Sequence, residues 1–164
     1  MRMINGIDIQ IMNYLQGNAR ISNAEIARQV GLAPSAVFER IRKLEERGIV
    51  RGYRAEIDPK AIDLGQLAFM FIRSDDRPGA VGTGAQLAEI PEILELHHVA
   101  GEDCFLAKVR ARDAEALGRL LRERLAGIAT ITSTRTTIVL ETVKETSALP
   151  LPSEEVEGEE AASA

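Results

Sequence analysis

Ser35, Glu39 and Arg42 recur at intervals of three or four residues in the run Pro34-Ser-Ala-Val-Phe-Glu-Arg-Ile-Arg-Lys43. On a helix that spacing sets a hydroxyl, a carboxylate and a guanidinium on one face, three groups able to hydrogen-bond base edges in the major groove of DNA. Val37, Ile41 and Leu44 fall on the other side as an apolar stripe, which predicts packing against Ile26 and Val30. Arg40 and Lys43 are nominated as further DNA contacts on the same helix. Beyond it, Ile49-Val-Arg-Gly-Tyr-Arg-Ala-Glu-Ile57 groups β-favouring residues around a glycine, with Arg51 and Arg54 beside it. Such a basic hairpin lays its arginines along phosphates, adding affinity without sequence information. The plainer alternative is a solvated amphipathic helix in which Glu39 and Lys43 form an i,i+4 pair.

Elements able to hold these residues are written into the same stretch. Ser22-Asn-Ala-Glu25 has the form of a capping box that starts a helix. Gly31 ends that helix where a left-handed backbone is tolerated, Pro34 suits the first turn of the next, and Gly48 stops it after Arg47. Two short helices across a tight turn make a helix-turn-helix, and the basic segment after it completes a wing. Charge is divided accordingly. Residues 1–60 hold ten Lys and Arg against seven Asp and Glu, a net of +3, while the remainder holds ten against 18, a net of −8. The acidic overall balance therefore hides a basic head.

Asp58-Pro59-Lys60 marks a break, with a linker to Gly65. The remainder reads as strand at Leu67–Ile72, helix at Val81–Ile90, strands at Ile93–Val99 and Cys104–Val109 joined by a turn at Gly101-Glu-Asp103, a helix capped by Asp113, and a long strand at Ile131–Val143. In the second helix Leu117, Leu120, Leu121 and Leu125 share a face, and Gly127 ends it. The order βαββαβ is the ferredoxin-like split βαβ arrangement. One face of such a sheet carries no helices of its own, so two subunits are expected to pack sheet to sheet. Thr132, Thr134 and Thr136 alternate on one side of the last strand, which suits either an exposed strand face or ligand contact. The expected organisation is α+β: a winged helix-turn-helix over residues 1–57, a linker over 58–65, a ferredoxin-like domain over 66–146 and an acidic, disordered tail over 147–164. The tail reads as solubilising, with competition against DNA for the basic head as the alternative.

Several runs together carry a family likeness. Ile7-Asp8, Ile11, Leu15, Ala19-Arg-Ile-Ser22, Ile26-Ala27, Val30-Gly-Leu32, Glu39-Arg-Ile-Arg-Lys-Leu-Glu45, Gly48-Ile-Val50, Gly52-Tyr53, Val99-Ala-Gly101 and Thr134-Arg-Thr136 resemble the Lrp/AsnC (feast/famine) transcriptional regulators over roughly residues 4–146. The resemblance implies a C-terminal RAM domain that binds an amino acid or similar small effector, and assembly into dimers and octamers of four dimers. It also implies double-stranded DNA as partner and an effector site between neighbouring dimers, near the turn Gly101–Cys104 and the Thr-rich strand. Gly101, Glu102, Asp103, Cys104, Thr134 and Thr136 are the candidates, because an acidic side chain can accept from the ligand ammonium while hydroxyls and turn amides donate to its carboxylate. Many relatives carry an acidic residue where this chain has Cys104, so the pocket here is expected to differ in polarity or selectivity.

Other classes are weighed against this one. No run of 18 apolar residues and no signal-peptide pattern is present, which predicts a soluble, cytoplasmic protein without membrane contact. The single Cys104 can neither close an internal disulfide nor assemble a zinc site, so no metal and no cofactor are expected. His97 and His98 are neighbours on a strand and point to opposite faces; either one near Asp103 could form an acid–base pair, the one opening for a small ferredoxin-like enzyme. Gly79, Gly82 and Gly84 have neither dinucleotide-fingerprint nor P-loop spacing and read as a loose turn. The preferred reading is not an enzyme but a DNA-binding regulator responsive to a small effector. A ligand-independent architectural DNA binder is the alternative.

Overall fold

Short helices persist in water only when their ends are capped and one face is buried. In the computed structural model, which describes residues 4–76, 82–101 and 103–152, the N-terminal unit buries one face of each of three helices, α1 (Gly6–Gly17), α2 (Asn23–Val30) and α3 (Pro34–Glu46), with side-chain caps on α1 and α2 and a first-turn proline in place of one on α3. Ile11, Ile26, Ala27, Val37 and Ile41 form its core, with Val30 packed against it as the apolar periodicity predicts. Gly31 sits at φ 67°, left-handed, and its turn delivers Pro34 to the first position of α3.

Capping differs from expectation at both ends of this unit. Ser22 accepts from the Glu25 amide at 3.1 Å, but Glu25 turns away to pair with Arg28, so only half of the predicted box forms. A complete box stands instead at α1, where Asn5 accepts from the Asp8 amide at 2.9 Å and the Asp8 carboxylate accepts from the Asn5 amide at 3.4 Å. The expected hairpin over 49–57 does not form: no strand is present there, residues 51–58 are exposed, and no strand of the described residues pairs with the segment. β-favouring side chains alone do not make a strand without a partner to accept its hydrogen bonds.

By contact the chain divides into two units, one built of residues up to Glu56 together with the chain from Glu145 onward, the other spanning Ile57–Lys144. The tail prediction needs correcting at its start, since Leu149 is bonded twice to the Gln16 side chain of α1, its amide donating at 2.6 Å and its carbonyl accepting at 3.1 Å. Residues 153–164 lie outside the described residues.

In the second unit a 3-10 turn, Pro59–Ile62, leads into an antiparallel sheet of β1 (Gln66–Ser74), β2 (Ile93–His98), β3 (Phe105–Ala111) and β4 (Ile131–Ile138) in the order β2-β3-β1-β4. Helix α4 (Gly82–Ala88) follows β1, and α5 (Ala114–Leu120) follows β3 and continues as a π-helical turn over Leu121–Leu125. Alternation along each strand decides which side chains meet the helices. Ala68, Met70 and Ile72 of β1 and Ala107, Val109 and Ala111 of β3 join Leu87, Ile90, Leu117, Leu120 and Leu125 in one core, while the intervening residues face the other way. Asp113 caps α5 as predicted, accepting from the Ala116 amide at 2.7 Å. Gly84 has a packing role: a Cβ there would stand 3.1 Å from the Phe105 ring. The expected helix start at Val81 and the Gly79 part of the glycine run fall outside the described residues.

The last strand is shorter than its composition predicts. β4 ends at Ile138, and the final bond of its ladder, from the Val139 amide to the Leu67 carbonyl at 2.9 Å, comes where β1 itself begins. Thr, Val and Leu beyond that point have no neighbour to pair with, and Leu140 is almost wholly exposed.

Candidate nucleic-acid interface and effector site

The outer face of α3 is set by what its inner face must bury. With Val37, Ile41 and Leu44 buried, Ser35, Glu39, Arg42 and Lys43 are turned outward and are exposed. Arg42 is held between two carboxylates, donating to Glu39 at 2.9 Å and pairing with Glu46 one turn on. The hydrogen bond from Arg42 holds the Glu39 carboxyl below its ordinary range, and the same contact pushes the Arg42 guanidinium up. Glu39 is thus kept as an ionised acceptor, suited to the exocyclic amines of cytosine or adenine. The Glu39–Lys43 pair of the plainer reading does not form, and Lys43 stays available to solvent.

Arg40 is the exception among the nominated residues. Its guanidinium reaches back to α1, donating to Asp8 at 2.8 Å and to Asn5 at 3.5 Å. Asp8 is almost fully buried, so the pair ties α3 to the cap of α1 and draws Arg40 away from the outward face that Ser35, Glu39 and Arg42 share. Position alone predicted outward exposure, because the partner lies 32 residues away in sequence.

After α3, Gly52 at φ 148° and Tyr53 turn the chain back, the Tyr53 hydroxyl donating to Glu45 at 2.9 Å. Partial desolvation of Tyr53, which is still 45% exposed, reinforced by the Glu45 hydrogen bond and charge, pushes its phenol up to about 12. This contact brackets Arg51 and Arg54, both exposed, beside the end of α3. Phe38 escaped the sequence reading altogether: it is 54% exposed, on the outward face between Ser35 and Arg42. The available signal was its place one residue off the Val37–Ile41–Leu44 stripe.

The effector candidates divide between the two faces of the sheet. Thr134 and Thr136 lie opposite Ile72 and Met70, on the helix side. Thr134 there lines a cleft of about 150 Å³ with Leu121, Leu125, Ala126 and Ile131. Asp103 is drawn to the other face, where Arg135 donates to it at 3.3 Å while lying 4.1 Å over the Phe71 ring. Gly101, at φ 143°, turns the β2–β3 connection, and Cys104 is fixed at its end, its amide donating to Ile72 at 2.9 Å and its thiol to the Ser74 carbonyl at 3.5 Å. Glu102 lies outside the described residues. Within one protomer the candidates therefore do not converge on a single pocket.

The acid–base pair entertained for the histidines is not formed. His97 faces Glu95 at 3.6 Å, His98 lies against Phe105 with ring centroids 5.2 Å apart, and Asp103 is engaged by Arg135. Lys108, bonded to Glu95 at 3.0 Å, holds that carboxyl below its ordinary range. Among the described residues, no group of three or more His, Cys, Asp or Glu side chains could hold a metal ion, and no helix is long and apolar enough to cross a membrane.

Comparison with known proteins matches both units. Residues 4–51 match a winged helix-turn-helix DNA-binding model, and residues 67–149 match the Lrp/AsnC ligand binding domain. The chain is 38% identical over 147 residues to the leucine-responsive regulatory protein of Escherichia coli K12, covering 87% of this chain and 88% of that one. It superposes with a TM-score of 0.84 on a feast or famine regulatory protein from M. tuberculosis complexed with L-methionine, at 35% identity, covering 92% of this chain and all of that chain. A transcriptional regulator from Neisseria meningitidis, in complex with L-Met, gives 0.85 at 29% identity, covering 90% and 97%.

Proposed function

The chain belongs to the Lrp/AsnC family of transcriptional regulators, and from that premise we propose that it binds double-stranded DNA sequence-specifically through α3 and alters that binding when an amino acid occupies its second unit. The observation that carries the reading is the outward face of α3. Its opposite face is buried, and Ser35, Glu39 and Arg42 are presented together, with Lys43, Arg51 and Arg54 exposed and proposed as phosphate contacts. On this reading no catalytic step is assigned, and the protein works in the cytoplasm.

The effector is proposed to be an amino acid, by analogy with the L-methionine complexes of its relatives. Its site is proposed to be completed by a second dimer, with Gly101–Cys104 and Thr134 and Thr136 contributing from separate surfaces, in an assembly of dimers up to an octamer. Asp103 can accept from a ligand ammonium only by sharing or leaving Arg135. Effector control requires that the ligand bind one assembly or head spacing better than another.

Fluorescence anisotropy on DNA from upstream of the protein's own gene, against a scrambled duplex over a salt series and with each common amino acid added, tests both halves. Site-selective binding that shifts with one amino acid is the expected result. Selective binding that no amino acid shifts overturns the effector half, and no binding even at low salt overturns the DNA half. Asp103→Ala is expected to leave effector-free binding intact while reducing the ligand response.

A further inference from the structure

The mechanism above leaves one group on α3 unused. Phe38 is one turn after Ser35 and one turn before Arg42, and 54% of it is open to solvent. The head does not need it for its core, since Val37 and Ile41 fill that side against Ile11 and Ile26. The exposed neighbours on its outward side, Ser35, Glu39, Arg42 and Lys43, are polar or charged, and Pro34 one turn before it is the other exposed apolar residue of α3. A partner docking on this face must therefore be polar around one small apolar feature. A base-pair edge in the major groove meets that description, because the C5-methyl of thymine is its one apolar group and lies beside hydrogen-bonding positions. Resting on the DNA-binding reading, we propose that Phe38 is a specificity-determining residue whose ring covers the methyl group of a thymine in each half-site.

Neighbouring groups sharpen the reading. Glu39, kept ionised and bonded to Arg42, stands on the adjacent helical position, where it accepts from the amine of a cytosine or adenine. A carboxylate facing the groove also repels phosphate, so misplaced docking is penalised while the apolar contact is rewarded only at thymine. Placed in the first half of α3, Phe38 is on the part of a recognition helix that reaches base edges.

The test uses the full-length protein and a duplex enriched by it from a random pool. Each thymine of that duplex is replaced singly by deoxyuridine, which removes the methyl group and keeps base pairing. Affinity is read by anisotropy for wild type, Phe38→Ala and Phe38→Leu, with circular dichroism and mass from light scattering recorded for each. One thymine per half-site is expected to weaken wild-type binding about three- to fivefold when demethylated, the worth of a single buried methyl. Phe38→Ala is expected to weaken binding to the thymine duplex and to lose all sensitivity to that deoxyuridine, while Phe38→Leu retains part of it. Equal losses for Phe38→Ala on both duplexes, or a wild type indifferent to every demethylation, overturn the proposal but leave selective DNA binding standing. Unchanged affinity with a reduced assembly mass assigns the ring to a second copy of the chain instead. Failure of wild type to enrich any sequence defeats the DNA reading itself, and the proposal with it.

Discussion

The head and the second unit solve opposite problems. In the head, three short helices share a small apolar core, and the relation between α1 and α3 is fixed by a polar anchor, Asp8 with Arg40 and Asn5. The second unit relies on apolar matter: buried residues of the sheet, its helices and the turns beside them form one core, while its ion pairs sit on exposed faces. A reader of DNA needs one helix held at a fixed angle, and a directional ion pair sets an angle better than grease does. A ligand-binding unit needs a stiff sheet with surfaces left free, which a close-packed core supplies.

Mutations can break this contrast, and the largest effect is expected in the sheet. Met70→Ala, in the centre of β1 and fully buried, should cost about 2–5 kcal/mol in thermal or urea unfolding of the second unit. Asp8→Ala should cost about 2 kcal/mol in the head, because it removes half of the α1 capping box and leaves Arg40 only its long contact to Asn5. Arg28→Ala, which removes an exposed pair with Glu25, should cost under about 0.5 kcal/mol. A head indifferent to Asp8→Ala in circular dichroism melts would mean that its geometry too is set by apolar packing.

Arg42→Ala sharpens the comparison at the level of recognition. If Arg42 meets a base, discrimination at one operator position should fall by about 1–3 kcal/mol in competition binding with single-base variants. If it serves only to hold Glu39, binding should weaken and preference at the Glu39 position should blur instead. The smallest effect is spectroscopic. In Tyr14→Phe protein, phenolate absorbance should report Tyr53 titrating near 12, and Glu45→Gln should bring that midpoint down. Because the folded state raises this pKa, the stabilisation it reflects is complete below the ordinary value near 10 and is lost as pH rises through 12.

What the sequence disclosed follows the same division. Ser22, Gly31, Pro34 and Asp113 are local signals, each acting on amides within a turn of itself, and each marks a boundary found in the structure. Non-local partners were invisible. Asp8 reads as an ordinary first-turn acid until Arg40 is brought to it, and Asp103 as a free carboxylate until β4 carries Arg135 across β1. Strand propensity misled at two places for one reason: Ile49–Ile57 and the residues after Val139 have the composition of strands, but no strand among the described residues pairs with them. Phe38 was missed because an aromatic residue in a helix is expected to face inward.

The clip between Gln16 and Leu149 has a consequence for the charge of the head. Glu154 follows Leu149 by five residues, so even fully stretched chain keeps it within about 18 Å of that anchor. Glu155, Glu157, Glu159 and Glu160 follow closely, and the five carboxylates are leashed to the C-terminal end of α1. Counted with the segment they are leashed to, they turn the +3 of residues 1–60 into −2. If these carboxylates compete with phosphate for the head, deleting residues 153–164 is expected to raise DNA affinity at low salt and change its salt dependence, whereas unchanged affinity leaves them a solubilising tail.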